Sequence, residues 1–201
     1  MKILGVSLVA GLLVVASTSV LKASAMKGPW IKPDTKAQKI YDQMADSFNG
    51  EWKLSPEEKQ IDTTGAHNSV KEFLGKDLPM TSYMIKGKGT TLQEEMLTGT
   101  KKEMVTMYHC NRRDTCEILL ATHYCAKRNQ PRLVLNLDET TETKFVFDCD
   151  MGSSLCQSNE DHIHKITHEF GEDGKHLKSS YLGMKDQQWN KKNSIFHYDK
   201  R

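Results

Sequence analysis

His162 and His164 stand two residues apart in a run, 161–170, that reads as a β-strand. Residues two apart on a strand share a face, with Cβ atoms about 6.5–7 Å apart. Two imidazoles placed this way can hold one Zn²⁺ or Cu²⁺ ion if a neighbouring strand supplies a third ligand. His109 and His123, near the ends of two other strand-like runs, are the candidates for that ligand. The same four histidines, with Met107 and Tyr124, suit a polar ligand pocket equally well, shaped by hydrogen-bonded rings in an apolar setting. Both readings stay open at this level, as does a purely structural or surface role for these rings. Strict alternation puts Ile166, His168 and Phe170 on the face of His162 and His164.

The cysteines sort by spacing. Cys110 and Cys116 bracket the polar turn 111–115, and Cys149 and Cys156 bracket the loop 150–155. Pairing within each couple is expected, because each closes a short loop between strands and the Cα separation a disulfide needs is met across a hairpin neck. Cys125 is then the free thiol, next to Tyr124 and two residues from His123. A Cys–His couple can act as nucleophile and base. Sharing a strand face is not a hydrogen bond, however, and no oxyanion element accompanies the couple, so a small buried thiol is expected and catalysis is not. A free thiol is also a ligand for haem iron or a soft metal. Haem or a divalent metal is thus the cofactor these residues would accept, with no cofactor as the default. The acid pairs Glu57-Glu58 and Glu94-Glu95 are adjacent, so on strands their side chains diverge and make poor catalytic dyads. No Gly-rich phosphate loop, Gly-x-Ser-x-Gly elbow or His-Glu-x-x-His helix occurs.

The elements that must position these residues follow from the patterning. Met1-Lys2, an apolar run to Val15 and Ala23-Ser24-Ala25 have the form of a secretory signal peptide cleaved after residue 25. Ser17, Thr18, Ser19 and Lys22 interrupt the run before it reaches the roughly 20 apolar residues of a membrane span. Export makes disulfides permissible and places the protein in the periplasm or outside the cell. Lys2 and Lys22 are the charged residues of that segment, so the 28 basic and 26 acidic residues of the whole chain become 26 of each. A neutral chain has no electrostatic reason to bind nucleic acid or an anionic membrane.

Residues 26–48 read as an extended lead and a short helix, with Ile40, Tyr41, Met44, Ala45 and Phe48 at helical spacing, Asp34 as N-cap and Asn49-Gly50 as the stop. Residues 49–201 form one domain. It carries an irregular insertion at 55–79, with a short helix near 69–74 and a surface a protein partner could use. Strands are expected at 51–54, 81–86, 90–97, 103–109, 117–124, 132–137, 144–147, 162–170, 176–182 and 194–198, separated by turn signals. About ten strands joined by short turns suit antiparallel pairing, and closure into a barrel hides the edges. A two-sheet sandwich is the competing architecture.

Gly50-Glu51-Trp52, straight after a short helix, resembles the Gly-x-Trp start of lipocalins and other calycins. The stretch 103–109, then Thr122-His123-Tyr124-Cys125, Asn129-Gln130-Pro131-Arg132 and His162-Ile163-His164, resembles an uncharacterised family of exported bacterial proteins with a lipocalin-like β-barrel. The resemblance spans about residues 47–185. The chain departs from it in the insertion at 55–79, in cysteines 110, 116, 149 and 156, and in its polar end from Gln187. It implies an all-β fold: a single antiparallel lipocalin-like barrel with a short N-terminal helix. It also implies that Trp52 packs at the closed end, with Arg132 as the basic residue stacked on an aromatic ring. The family's activity is unassigned. The reading that follows is an exported, non-enzymatic protein holding a small, partly apolar ligand inside the barrel. The alternative is a His-based metal or haem protein with redox or hydrolytic activity.

Overall fold

The computed structural model describes residues 32–56, 67–191 and 193–201. The expected signal segment, most of the lead and the middle of the insertion lie outside the described residues.

Helix α1 spans Lys36–Phe48. Its buried stripe includes Ile40, Tyr41, Met44, Ala45 and Phe48, as the 3.6-residue spacing predicts. The N-cap is Thr35, not Asp34. The Gln38 N–H donates to Thr35 Oγ1 at 3.1 Å, while Asp34 pairs with Lys39 on the surface at 2.8 Å. Thr35 has a second task, because its hydroxyl donates to the Cys116 carbonyl at 2.7 Å and so ties the helix start to a barrel loop. At the other end Gly50 turns the chain into the first strand at φ +124°, a conformation that side chains with a Cβ disfavour.

The strands are β1 (Gly50–Leu54), β2 (Pro79–Lys86), β3 (Thr91–Met96), β4 (Met104–Cys110), β5 (Leu119–Tyr124), β6 (Arg132–Leu135), β7 (Lys144–Cys149), β8 (His162–Phe170), β9 (His176–Lys185), β10 (Gln188–Trp189) and β11 (Ser194–Lys200). A short helix, α2 (His67–Val70), precedes β2. Strands β1 to β8 pair antiparallel in sequence order, β8 pairs with β9, β9 with β11, and β11 returns to β1. Ten strands therefore close into a barrel, and β10 is an extra strand outside it, folded back on β9. Closure leaves each barrel strand with a partner on both sides.

Alternation sets the interior. Trp52, Tyr83, Leu92, Tyr108, Phe145, Phe147, Tyr181, Phe196 and Tyr198 are inward and fully buried, so aromatic rings fill much of the barrel. Helix α1 packs against β4 and β5 at one end. Phe48 is inserted there, with ring centroids 4.7 Å from Tyr83, 4.8 Å from Phe170 and 5.1 Å from His168. Trp52 anchors the same end, and its Nε1–H donates to the Phe48 carbonyl at 2.8 Å. The cation over its ring is Lys200, with Nζ 5.2 Å from the centroid. Arg132, expected to stack, instead donates from Nε to Asp150 Oδ2 at 2.7 Å.

Both expected disulfides are present, Cys110–Cys116 with Cα atoms 4.9 Å apart and Cys149–Cys156 at 5.7 Å, and Cys125 is free. Cys110–Cys116 holds the carbonyl that accepts the Thr35 hydroxyl. Removing this bridge as Cys110→Ala/Cys116→Ala is expected to cost about 2 kcal/mol, the chain-entropy value for so short a loop. Urea unfolding followed by tryptophan fluorescence would show a lower midpoint, with the slope rising as the denatured chain gains freedom.

Candidate functional site

The barrel interior holds a polar cluster built from residues of five strands, β2, β3, β4, β8 and β9. Leu92, Glu94 and Met96 of β3 all point inward, and Glu94 is buried at 1% exposure. Its partners are phenols. Tyr83 donates to Oε1 at 2.7 Å, Tyr108 donates to Oε2 at 2.9 Å, and Tyr181 also donates to Oε1. Burial, then the charge of Glu94, raises the pKa of Tyr83, Tyr108 and Tyr181 well above the usual phenol value, so all three keep their protons to donate.

The network continues by donor counting. Because the Tyr108 proton points at Glu94, its oxygen accepts from His168 Nε2–H at 2.7 Å. His168 Nδ1 then accepts from the Ser179 hydroxyl at 2.8 Å. Burial lowers the pKa of His168, with Glu94 opposing, so the ring is neutral and this tautomer is consistent. The order Ser179, His168, Tyr108, Glu94 is a continuous hydrogen-bonded chain across the barrel.

His123 lies beside it on β5. Its Nδ1 is 3.0 Å from Thr106 Oγ1 and its ring is 5.8 Å from that of Tyr181. Burial lowers its pKa to about 4. Its Nε2 is buried and has no hydrogen-bond partner. Such orphaned side-chain atoms are uncommon in folded proteins.

A cleft of about 210 Å³ opens at the barrel end opposite α1, lined by Met104, Cys125, Lys127, Ile163, Tyr181 and Ser194 among others. Its rim is held by an ion pair between Lys127 and Asp161, with Asn190 Nδ2 donating to the same Asp161 oxygen at 2.8 Å. Burial opposes the charge of Asp161, but hydrogen bonds from Lys127 and Asn190 outweigh it and hold the carboxyl below its usual pKa. Burial pushes the Cys125 thiol up, so it is not a thiolate nucleophile.

The remaining sequence candidates occupy other places. Met107 and His109 alternate with inward Thr106 and Tyr108 and lie on the outer face, where His109 Nδ1 is 3.0 Å from the Cys110 carbonyl. Tyr124 is exposed. His162 and His164 do meet, Nε2 to Nδ1 at 2.9 Å, but apart from the interior cluster. The reason is a β-bulge. Ile163 faces Gly183 and Lys165 faces Leu182, so His164 is an extra residue that resets the alternation. Ile163, Ile166 and His168 point inward, and His162 turns to the outer side, where it is still fully buried. Neither His109 nor His123 joins this pair. Its sulfur neighbour is Cys149, whose Sγ lies within 4.8 Å of both imidazole ligand atoms.

Sequence reasoning missed Glu94, Tyr83, Tyr108, Tyr181 and Ser179. The signal was the parity of β3, in which a glutamate shares a face with Leu92 and Met96. A charged residue at an apolar position of a strand marks a buried polar site.

Ten antiparallel strands closed into a barrel, with a short N-terminal helix at one end, are consistent with a calycin-like fold. No family model matches the chain, and no curated protein matches it.

Proposed function

We propose that the protein is an exported small-molecule carrier or receptor. Its ligand enters the cleft between Met104, Cys125, Lys127, Ile163 and Tyr181, above the polar cluster of the barrel. The observation that carries this reading is the orphaned Nε2 of His123, whose ring centroid lies 5.8 Å from that of Tyr181 in the cleft wall. A buried polar atom left without a partner is available to a hydrogen-bonding group of a ligand. The cleft is smaller than the roughly 300–1,000 Å³ of drug-sized sites, which favours a small, partly apolar ligand with one hydrogen-bonding end. Affinity comes from Met104 and Ile163, and orientation from Tyr181, His123 and the Lys127–Asp161 rim. The raised pKa of the Cys125 thiol argues against nucleophilic catalysis at the cleft. Export is supported by the signal-like N-terminus, the two disulfides and the resemblance to exported bacterial proteins. No helix of the described residues is long and apolar enough to cross a membrane.

The test fills the cleft from its rim. Ala126 lines the cleft but is exposed, so Ala126→Trp blocks it without touching the core. Anilinonaphthalene sulfonate, an aromatic probe with one charged end, is expected to bind the wild-type protein one to one. Its affinity should fall at least tenfold in Ala126→Trp and hold in Ala126→Ser. Equal affinity in all three proteins would remove the cleft from the account.

A further inference from the structure

The outer-face histidine pair points to chemistry independent of the cleft. We propose that Cys149, Cys156, His162 and His164 form a Cys₂His₂ site for Zn²⁺ that the Cys149–Cys156 disulfide keeps closed and a dithiol reductant opens.

Geometry brings three of the four groups together, and the disulfide ties the fourth to them. Asp148 pairs with Lys165 across the ladder, which sets Cys149, next along β7, beside His164. Ligand atoms of Cys149, His162 and His164 all lie within 4.8 Å of one another. Cys156 is bonded to Cys149, so reduction delivers a second sulfur at the same place. Tetrahedral zinc, with Zn–S about 2.3 Å and Zn–N about 2.0–2.1 Å, needs its ligand atoms only about 3–4 Å apart, within reach of small side-chain rotations.

The histidines are already oriented as ligands are. His162 Nδ1–H donates to the Glu160 carbonyl at 2.7 Å, which fixes its tautomer and leaves the Nε2 lone pair outward. That lone pair accepts from His164 Nδ1–H at 2.9 Å. A metal ion would stand where this proton is, with the His164 proton moved to its Nε2. The β-bulge at His164 is what brings the second ring beside the first. Cys149, Cys156 and His162 are buried, while half-buried His164, with the Trp189 ring 5.4 Å away, offers the way in.

The opening step balances simply. A dithiol gives two electrons and two protons to the Cys149–Cys156 bond. That bond breaks into two thiols, and the dithiol becomes a disulfide. Zinc then displaces one proton from each thiol and binds two thiolates and two neutral imidazoles. In the oxidised protein the sulfurs are bonded to each other, and two imidazoles alone hold zinc weakly. The site would thus report the thiol–disulfide balance around the protein as a gain or loss of metal.

The experiment uses the full chain, oxidised or treated with a phosphine reductant, which cleaves disulfides without chelating zinc as a dithiol does. Zinc is measured by equilibrium dialysis. Co²⁺ replaces it in a parallel sample, because tetrahedral d–d bands and a thiolate charge-transfer band identify the ligand set. One ion per chain is expected after reduction, with the melting temperature of the reduced protein raised by zinc. His164→Ala and Cys156→Ser should each weaken binding at least tenfold. His164 is partly exposed, so its variant should fold, and Cys110→Ala/Cys116→Ala should bind as the wild type does. Three results would each overturn the proposal: equal zinc binding before and after reduction, no binding or no rise in melting temperature by the reduced chain, or wild-type affinity in His164→Ala.

Discussion

Glu94→Ala is expected to lower the unfolding free energy by about 4 kcal/mol, the largest effect of any single polar substitution in the barrel. Three phenols, Tyr83, Tyr108 and Tyr181, donate to this carboxyl group. Each buried hydroxyl left without a partner costs about 1–3 kcal/mol, and the vacated space adds a cavity term. The phenols can relax towards one another, so the sum is not fully realised. Glu94→Gln keeps one acceptor oxygen and should cost about half as much. Against a total stability of about 5–15 kcal/mol, the alanine variant would be folded but marginal. Urea melts read by tryptophan fluorescence would measure both. An alanine variant as stable as the wild type would mean that the cluster is not the closed network described. A second substitution gives the cycle. Tyr108→Phe should cost less in the Glu94→Ala background than alone, because its hydroxyl has already lost the carboxyl group.

Acid should weaken the protein well before ordinary carboxylates titrate. His123 has a pKa of about 4 in the folded chain against an ordinary value of 6.5. Between those values the unfolded chain binds a proton that the folded chain refuses. Stability is therefore complete above pH 6.5, falls as the pH drops towards 4, and loses no more from this group below that. The full loss from His123 is about 3 kcal/mol. His168, also lowered by burial, contributes with the same sign. The carboxyls held below their ordinary range, such as Asp161 and Asp150, act only at lower pH, below the unfolded value of 3.8. Denaturant midpoints from pH 7 to pH 4 should fall steadily in the wild type. His123→Gln, which cannot charge, should flatten much of that slope. An unchanged slope in His123→Gln would show that its ring is not buried neutral.

Much of the architecture was legible in the chain because it rests on local rules. Strand periodicity and Gly-, Asn- and Pro-marked turns place nearly every strand within a few residues, and the short spacing of Cys110–Cys116 and Cys149–Cys156 leaves each couple a near partner. What was not legible depends on contacts distant in sequence. Thr35 displaces Asp34 as the cap, and it also reaches the Cys116 carbonyl far along the chain. Lys200 reaches the Trp52 ring because β11 closes on β1, a pairing local patterns do not encode. The bulge at His164 is invisible to strict alternation, and it moves His162 from the expected inner face to the outer one. Glu94 reads as half of a diverging acid pair, and its burial emerges only when the parity of Leu92 and Met96 is weighed.

The interior cluster and the outer histidine pair thus separate two chemistries that sequence alone had merged. One is a polar floor beneath a small cleft, and the other is a ligand set beside a disulfide. They share β8 but not a face, so variants of one should leave the other's readout unchanged.

Native mass spectrometry of the purified protein, wild type beside Ala126→Trp, tests the central claim most directly. The wild type should carry a small molecule in one-to-one ratio beyond the mass of the two-disulfide chain, and Ala126→Trp should fly without it. A bare chain in both proteins, or the same bound mass in both, would contradict a ligand seated in the cleft above Tyr181 and His123.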